Sequence, residues 1–220
     1  MSPFGAWLLV SEQLHYITNR EEIFYFVEKN MPYLCGLWRF ANAYFRNYYK
    51  KEENKPRNYA LIVFGLNSAL RISDILNLKW KDVCNSTGYL EHIIVTEKKT
   101  GKKNVLALNR ATKEALNYYR KTLDTIVPEH YIFSSQKVKD EPITRSQAFR
   151  IIQKAAQKCG MKEPVSCHSL RKTFGYFAWK NGTPPALLMS IYNHSSYEIT
   201  KRYLGIEQLD KDEVYEKNVL

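Results

Sequence analysis

The sequence predicts a mainly α-helical protein with a small antiparallel β-sheet, an α+β fold. Most of the chain carries apolar residues at helical spacing between recognisable capping residues. Two alternating segments, Glu91–Thr96 and Asn104–Leu108, flank a turn at Thr100 and Gly101 and predict one β-hairpin. With 220 residues, of which 45% are hydrophobic, the chain is long enough to bury a core.

Two helices are predicted in the N-terminal part. Thr18-Asn-Arg-Glu21 has the form of a capping box, and the helix that it begins runs to about Asn30. Pro32 begins a second helix, in which aromatic residues are interleaved with arginine and lysine. This pattern suits stacking on nucleic-acid bases, whereas the helical regularity of the apolar positions favours a packing face.

The polar run Lys50–Pro56 is the best candidate for a linker, because it is rich in charge and ends at a proline. It divides the chain into a short helical segment, residues 1–55, and a main domain, residues 56–206. Residues 207–220 form an amphipathic tail, which we interpret as an interaction element.

The main domain begins with a buried helix, and Ser73 is the predicted N-cap of a short helix that follows it. Arg71 therefore lies in a turn between two helices. Asp74 falls in the first turn of the short helix, near the positive end of its dipole. Arg71 is either a surface charge or the partner of Asp74 in a structural ion pair.

The hairpin tip carries a cluster of lysines at 98–103, which is either a solvated turn or a finger that reaches into a groove. Three further elements follow it: a helix at 111–123, an extended piece at 131–133, and a helix capped by Thr144 that runs to about Lys158.

His168 and Arg171 lie three residues apart on one face of the next predicted helix. They are near its N-terminus, where exposed backbone amides favour an anion. Taken alone, His168 is equally well explained as a polar residue that closes a turn.

Thr183 and Pro184 begin a short helix, and Ser195-x-x-Glu198 is a second capping box whose helix carries Tyr203. One straight helix over residues 194–203 would hold the Cα atoms of His194 and Tyr203 about 13 Å apart. Both side chains reach one ligand only if the chain bends at the serine cap.

Composition indicates the kind of partner. The 33 lysines and arginines against 22 acidic residues give a net charge of +11. Charge alone does not decide between a polyanionic partner and a solvated basic surface, so other features are needed to favour the polyanion.

The four cysteines show no C-x-x-C pair and no metal-ligand spacing, so we interpret them as reduced thiols of a cytoplasmic protein without a metal. Neither a signal peptide nor a membrane span is predicted.

The stretch from His168 to Tyr203 brings together two imidazoles, a guanidinium and a phenol. Guanidinium and protonated imidazole donate hydrogen bonds to phosphoryl oxygens. A tyrosine oxygen is able to form a covalent intermediate. The stretch therefore predicts a phosphate-handling site with its own nucleophile.

Four motifs in order resemble the catalytic domain of the tyrosine recombinases, the phage integrase family. The resemblance covers Arg57 to about Ile206, and the four together are far more specific than any one. They are Leu70-Arg71-Ile-Ser-Asp74, Lys98-Lys99-Thr-Gly101, His168-Ser-Leu-Arg171, and Asn193-His194-Ser-Ser followed by Arg202-Tyr203.

The resemblance implies a role for each of six residues. Arg71, Arg171 and His194 would clamp the non-bridging oxygens of a DNA phosphate. A second set would carry out the transfer: Lys99 as proton donor to the leaving 5′ oxygen, His168 as general acid/base and secondary phosphate contact, and Tyr203 as nucleophile. The product would be a 3′-phosphotyrosine bond, formed without a cofactor, metal or ATP.

The resemblance also implies partners. These are double-stranded DNA, a homotetramer on paired DNA sites in which the tail of residues 207–220 is exchanged between protomers, and an accessory DNA-bending protein. The enzyme would serve a mobile element. Two other functions stay open: a DNA-binding regulator that keeps the fold without strand exchange, and a nicking-closing activity like that of type IB topoisomerases.

The sequence departs from the family pattern at two loops and at its N-terminus. Relatives often have glycine where Ala69 stands, and Leu-Gly where this chain has Tyr192-Asn193. Many relatives also carry a helical core-binding domain of about a hundred residues, a usual domain size, ahead of the catalytic domain. Residues 1–55 are therefore expected to act as a reduced DNA clamp or to depend on a partner.

Overall fold

A computed structural model describes residues 45–136, 140–161, 165–206 and Tyr215. Residues 45–51 are helical, and eight helices follow: α1 (Pro56–Ser68), α2 (Ile72–Leu76), α3 (Trp80–Val83), α4 (Arg110–Arg120), α5 (Arg145–Lys158), α6 (Cys167–Lys180), α7 (Pro185–Tyr192) and α8 (Tyr197–Leu204). The strands are β1 (Cys84–Asn85), β2 (Gly88–Tyr89), β3 (His92–Thr96) and β4 (Lys103–Ala107). The mainly α prediction is confirmed, with two small antiparallel sheets in place of one. Within these ranges, no helix has both the length and the apolar character needed to cross a membrane.

Helix α1 is the centre of the core. Its residues 60–64 are buried on every side, as expected for an apolar helix enclosed by other elements. Helices α4 and α6 pack against it, and Phe64 meets Phe133 edge to face, with ring centroids 6.2 Å apart. The C-terminal end of α1 and the N-terminal end of α6 are thereby held at fixed positions, and candidate site residues lie at both of these ends.

The β3–β4 hairpin forms as the alternation predicted, within one residue at each end. Ile93 pairs with Leu106 and Val95 with Asn104. Ile93 and Val95 point into the protein, whereas Ile94 between them is exposed. The turn between the strands, residues 97–102, carries Lys99.

Residues 45–55 pack against α5. Phe45, Tyr48 and Tyr49 are buried, and the Tyr49 hydroxyl donates to the Ile151 carbonyl at 2.9 Å. Glu53 forms ion pairs with Lys55 and Lys154. In this described part of the predicted aromatic helix, the aromatic residues therefore form a packing face.

The predicted helix of residues 18–30 and the start of the aromatic helix lie outside the described residues. The division of the chain between residues 55 and 56 stays a prediction.

Two helix-cap predictions are wrong. The N-cap of α2 is Arg71 itself rather than Ser73. The N-cap of α8 is Ser196, whose hydroxyl accepts from the Ile199 amide, rather than Ser195. Residues 131–133 contain a single bridge, Tyr131 with Lys79, as an extended piece would. Adjacent polar residues compete for a cap, and the three-dimensional course of the chain decides between them.

Helices α6, α7 and α8 form a second apolar cluster beside the core. It contains Leu188, Tyr192 and Leu204, all buried, together with Ala69 from the end of α1. Gly175 of α6 lies beneath the cluster, because a Cβ atom there would clash with the Tyr192 hydroxyl and lie 2.5 Å from Leu204 Cδ2. A side chain at position 175 would force α7 and α8 away from α6.

We expect Gly175→Ala to lower the free energy of unfolding by about 1–3 kcal/mol, the usual effect of overpacking. An unhindered Gly-to-Ala change inside a helix would instead be stabilising by about 0.5–1 kcal/mol. Gly65→Ala is the matched control. The new Cβ at position 65 lies 2.6 Å from the end of the flexible Leu170 side chain, which can rotate away. The loss of unfolding free energy in Gly65→Ala should therefore be smaller. Denaturant unfolding measures both, and a stabilising Gly175→Ala would contradict the packing described for α6.

Candidate active site

Arg171 is a buried guanidinium with no carboxylate partner in the described part of the chain. Its side chain is 3% exposed. Nη1 donates to the Ala69 carbonyl and Nη2 donates to the Tyr192 carbonyl at 3.3 Å. The guanidinium also lies 4.6 Å from the centroid of the Tyr192 ring. Because carbonyl and ring contacts offset only part of the cost of burying a charge, this position favours an anionic ligand.

Two left-handed residues bring these carbonyl groups to Arg171. Ala69 ends α1 with φ 53°, and Asn193 ends α7 with φ 54°. Glycine adopts this conformation without penalty, whereas for alanine it costs about 1–2 kcal/mol. These are the two loops where the sequence departs from the family pattern, so the departures keep the left-handed backbone that glycine would provide.

Arg71 lies between α1 and α2, as the sequence predicts, but its ion-pair partner is not Asp74. Its Nη1 donates to Glu97 Oε2 at 2.7 Å. Asp74 instead accepts a hydrogen bond from the Lys98 amide at 3.0 Å. Arg71 and Asp74 thus both hold the start of the turn between β3 and β4, which carries Lys99.

The chain bends between α7 and α8, as the distance argument requires. The His194 and Tyr203 rings lie 5.4 Å apart, nearly edge to face. Tyr192 lies 5.4 Å from each of them. Thr200 fixes the imidazole, because its Oγ1 lies 3.0 Å from His194 Nδ1.

The Thr200 hydroxyl determines which nitrogen of His194 is free. It donates its single proton to the Ser196 carbonyl, 3.3 Å away. Nδ1 of His194 is therefore assigned as the donor to Thr200, and Nε2 is left for a ligand. Burial and the nearby Arg171 and Arg71 lower the pKa of His194, so its neutral form is favoured until an anion binds.

Tyr203 has a buried hydroxyl that makes no hydrogen bond of ordinary geometry to any described residue. Burial raises its pKa, and Arg171 and Arg71 offset part of that rise. Arg171 therefore lies close to the Tyr203 hydroxyl. The exposed Lys172 lies over the ring of Tyr203, with Nζ 5.5 Å from the centroid.

His168 lies in the first turn of α6 with an exposed side chain. Partial loss of hydration lowers its pKa, and four cations add to the effect. In decreasing order they are Arg171, Arg71, Lys172 and Lys99. Lys99 itself is exposed on the hairpin turn.

The structure therefore brings Arg71, Arg171, His168, His194 and Tyr203 within electrostatic range of one another. It places Lys99 at the rim of this cluster, on a turn that solvent surrounds.

Two contributors to the cluster were missed in the sequence. Glu97 is fully buried and pairs with Arg71. The period of two that places Ile93 and Val95 inward also places Glu97 inward, so the alternation contained a signal for it. Tyr192 stacks on Arg171, and its hydroxyl donates to the Arg171 carbonyl at 2.6 Å. No local pattern distinguishes it among sixteen tyrosines.

A cleft of about 500 Å³ opens beside His168, between α5 and α6. Arg145 and Arg150 line it together with Phe149. The cleft extends the positive charge of the cluster along the surface.

The chain is similar to known proteins over most of its length. The Phage integrase family model matches residues 43–208. The probable integrase/recombinase YoeC of Bacillus subtilis is 43% identical over 160 residues, which are 73% of this chain and 83% of that protein. A tyrosine recombinase of Pseudothermotoga lettingae is 28% identical over 73% of this chain and 54% of its own length. The chain thus spans most of the first relative and about half of the second.

Solved structures show the same fold. The crystal structure of XerA recombinase superposes with a TM-score of 0.66 at 23% identity, over 81% of this chain and 61% of that one. The XerH recombinase in a post-cleavage complex with palindromic difH substrate superposes with a TM-score of 0.61 at 18% identity, over 80% of this chain and 50% of that one. These likenesses confirm the predicted fold class.

Lys172→Gln should raise the pKa of His168, because a cation that disfavours the imidazolium is removed. The rise should be small, because burial and the two arginines lower this pKa more than Lys172 does. NMR titration of the imidazole resonances measures it. Lys81→Gln, a change at an exposed position of α3, is the control and should leave the pKa of His168 unchanged. A lower or unaltered His168 pKa in Lys172→Gln would rule out this electrostatic coupling.

Proposed function

Since the chain belongs to the phage integrase family, we propose that it is a site-specific DNA recombinase that cleaves and rejoins strands through a 3′-phosphotyrosine intermediate. The observation that carries the proposal is the proximity of two buried groups, Arg171, which has no carboxylate partner among the described residues, and the Tyr203 hydroxyl, which makes no hydrogen bond of ordinary geometry to them. A DNA phosphate supplies what both groups lack, an anion for the first and an electrophile for the second.

The clamp would consist of Arg71, Arg171 and His194. In-line attack on a phosphodiester builds negative charge on the non-bridging oxygens, and fixed guanidinium groups stabilise that charge where it develops. The bound phosphate would raise the pKa of His194, so that the imidazolium donates through Nε2. This explains how a histidine that is neutral in the free protein becomes a hydrogen-bond donor in the complex.

The transfer step would use Tyr203, His168 and Lys99. The Tyr203 oxygen forms a bond to phosphorus while the bond from phosphorus to the 5′ oxygen breaks. The phenol proton passes to the neutral His168 imidazole, and Lys99 gives a proton to the departing 5′ oxygen. Attack by the 5′ hydroxyl of another strand reverses these transfers and rejoins the DNA. One phosphoester bond replaces another at each step, so no ATP is consumed.

Binding of duplex DNA would rest on the net charge of +11 and on the cleft beside His168. Arg145 and Arg150 of α5, which line the cleft, would contact the DNA backbone. XerH is described as bound to a palindromic substrate, and we infer that this chain likewise acts on paired half-sites. The tail of residues 207–220, proposed to be exchanged between protomers, lies outside the described residues apart from Tyr215.

A nicked suicide duplex that contains the cognate site tests the proposal. The wild-type chain should form a protein–DNA adduct that resists denaturation, and Tyr203→Phe should form none, because the attacking oxygen is absent. Tyr197→Phe, a change on the same helix α8, is the matched control and should keep the adduct. Gel electrophoresis under denaturing conditions measures all three.

Other outcomes of that assay would identify a different activity. Salt-dependent DNA binding without an adduct on any cognate site would contradict the proposal in favour of a regulator. Relaxation of supercoiled plasmid without a second site would indicate a nicking-closing enzyme.

A further inference from the structure

Glu97 is a buried carboxylate to which the family motifs give no role. It follows the last residue of β3 and is 0% exposed. Its Oε2 accepts two hydrogen bonds, one from Arg71 Nη1 and one from Thr100 Oγ1, both at 2.7 Å. One oxygen therefore connects the first arginine of the proposed clamp to the turn that carries Lys99.

The backbone of Glu97 also closes that turn. Its amide donates to the Lys102 carbonyl at 2.9 Å, and its carbonyl accepts from the Gly101 amide at 2.8 Å. Lys99 lies between these bonds. These two bonds of Glu97 thus fix the turn on which Lys99 lies.

Glu97 also lies near the loop that precedes His194. Glu97 Oε1 and Asn193 Nδ2 are both buried, and neither makes a hydrogen bond of ordinary geometry to a described residue. Burial raises the pKa of Glu97, but Thr100, Arg71 and Asn193 together have the larger effect and hold the pKa below its ordinary value, so the carboxylate stays ionised. Asn193 therefore lies close to Glu97, and His194 is the next residue.

We propose that Glu97 is a positioning residue that holds Arg71 and Lys99 in register on the same phosphate. This inference rests on the proposed recombinase function. Arg71 stands between two helices and Lys99 on an exposed turn, and the Glu97 carboxylate bonds both to the Arg71 side chain and to the turn. A single anion would keep the clamp and the proton donor at one distance from each other.

A purely electrostatic role predicts the opposite sign for the loss of Glu97. A carboxylate beside a phosphate clamp repels the phosphate, so removing its charge would strengthen DNA binding and speed cleavage. Under the positioning role, cleavage slows although the site becomes more positive. The sign of the rate change therefore distinguishes the two.

Glu97→Gln is the first test, since glutamine keeps the size of the side chain. We expect single-turnover cleavage of the suicide duplex at saturating protein to fall about 10- to 100-fold, the order of loss that a misplacement of about 1 Å produces. DNA affinity should be unchanged or higher. Glu91→Gln, at an exposed position before β3, is the matched control and should cleave at the wild-type rate.

A substrate with sulfur in place of the bridging 5′ oxygen separates the two contacts. A thiol leaving group has a pKa near 8.5 and departs without a proton, so Lys99→Ala should cleave this substrate at close to the wild-type rate. Thr100→Val removes the hydroxyl that bonds to the Glu97 carboxylate and to the Lys102 amide, and it leaves the bond between Glu97 and Arg71 in place. This variant should cleave ordinary DNA slowly and the sulfur substrate at close to the wild-type rate. Glu97→Gln should be restored only in part, because its loss of the Arg71 contact remains.

Each result decides the question. Wild-type cleavage by Glu97→Gln, or a rate loss that merely follows weaker binding, would overturn the positioning role. If Glu97→Gln does not fold, Thr100→Val, a change on the exposed turn, tests the proposal by itself. If the sulfur substrate does not restore the cleavage rate of Thr100→Val, Glu97 does not act through Lys99. Absence of an adduct in the wild-type chain would overturn the proposed recombinase function itself, which is a different outcome from equal rates in wild type and variant.

Discussion

The guanidinium of Arg171 sets the main physical constraint on this structure, because it is buried without a carboxylate in the described part of the chain. Burial of a charge is costly unless dipoles, rings or an anion compensate. Carbonyl groups of Ala69 and Tyr192 and the face of the Tyr192 ring supply part of that compensation. The left-handed turns at the ends of α1 and α7 and the close approach allowed by Gly175 make these contacts possible. The remaining compensation is left to a ligand, and that is the physical basis for the phosphate site that we propose.

The surrounding charges prepare the same site for reaction. Loss of hydration and the clustered cations lower the pKa of both His168 and His194, so the neutral imidazoles are favoured in the free protein. Burial raises the pKa of Tyr203 and keeps its phenol protonated. The phosphate would then change the balance, since its charge favours imidazolium and its electrophilic centre gives the phenol oxygen a partner. Glu97 is the buried carboxylate that pairs with Arg71 and also bonds to the turn of Lys99, which is why its position affects more than one group.

Much of this was predictable from local sequence. The helix that Thr144 caps was predicted to within a few residues, because capping and apolar period are local properties. The bend before Tyr203 followed from helix geometry together with the expectation that His194 and Tyr203 share one ligand. The partner of Arg71 could not be predicted in this way, since Glu97 lies 26 residues away and their meeting depends on how the hairpin returns to α1. The choice between Ser195 and Ser196 as cap likewise depends on tertiary contacts that no local pattern contains.

The central claim is that one chain supplies the clamp and the nucleophile to the same phosphate. The 5.4 Å separation of the His194 and Tyr203 rings within the chain supports delivery of Tyr203 to its own site. Mixing Arg171→Lys with Tyr203→Phe on a suicide duplex tests this directly, since neither variant alone would form an adduct. The account predicts that the mixture also forms none. Recovery of the adduct in the mixture would contradict it, because Tyr203 would then be acting at a neighbour's clamp.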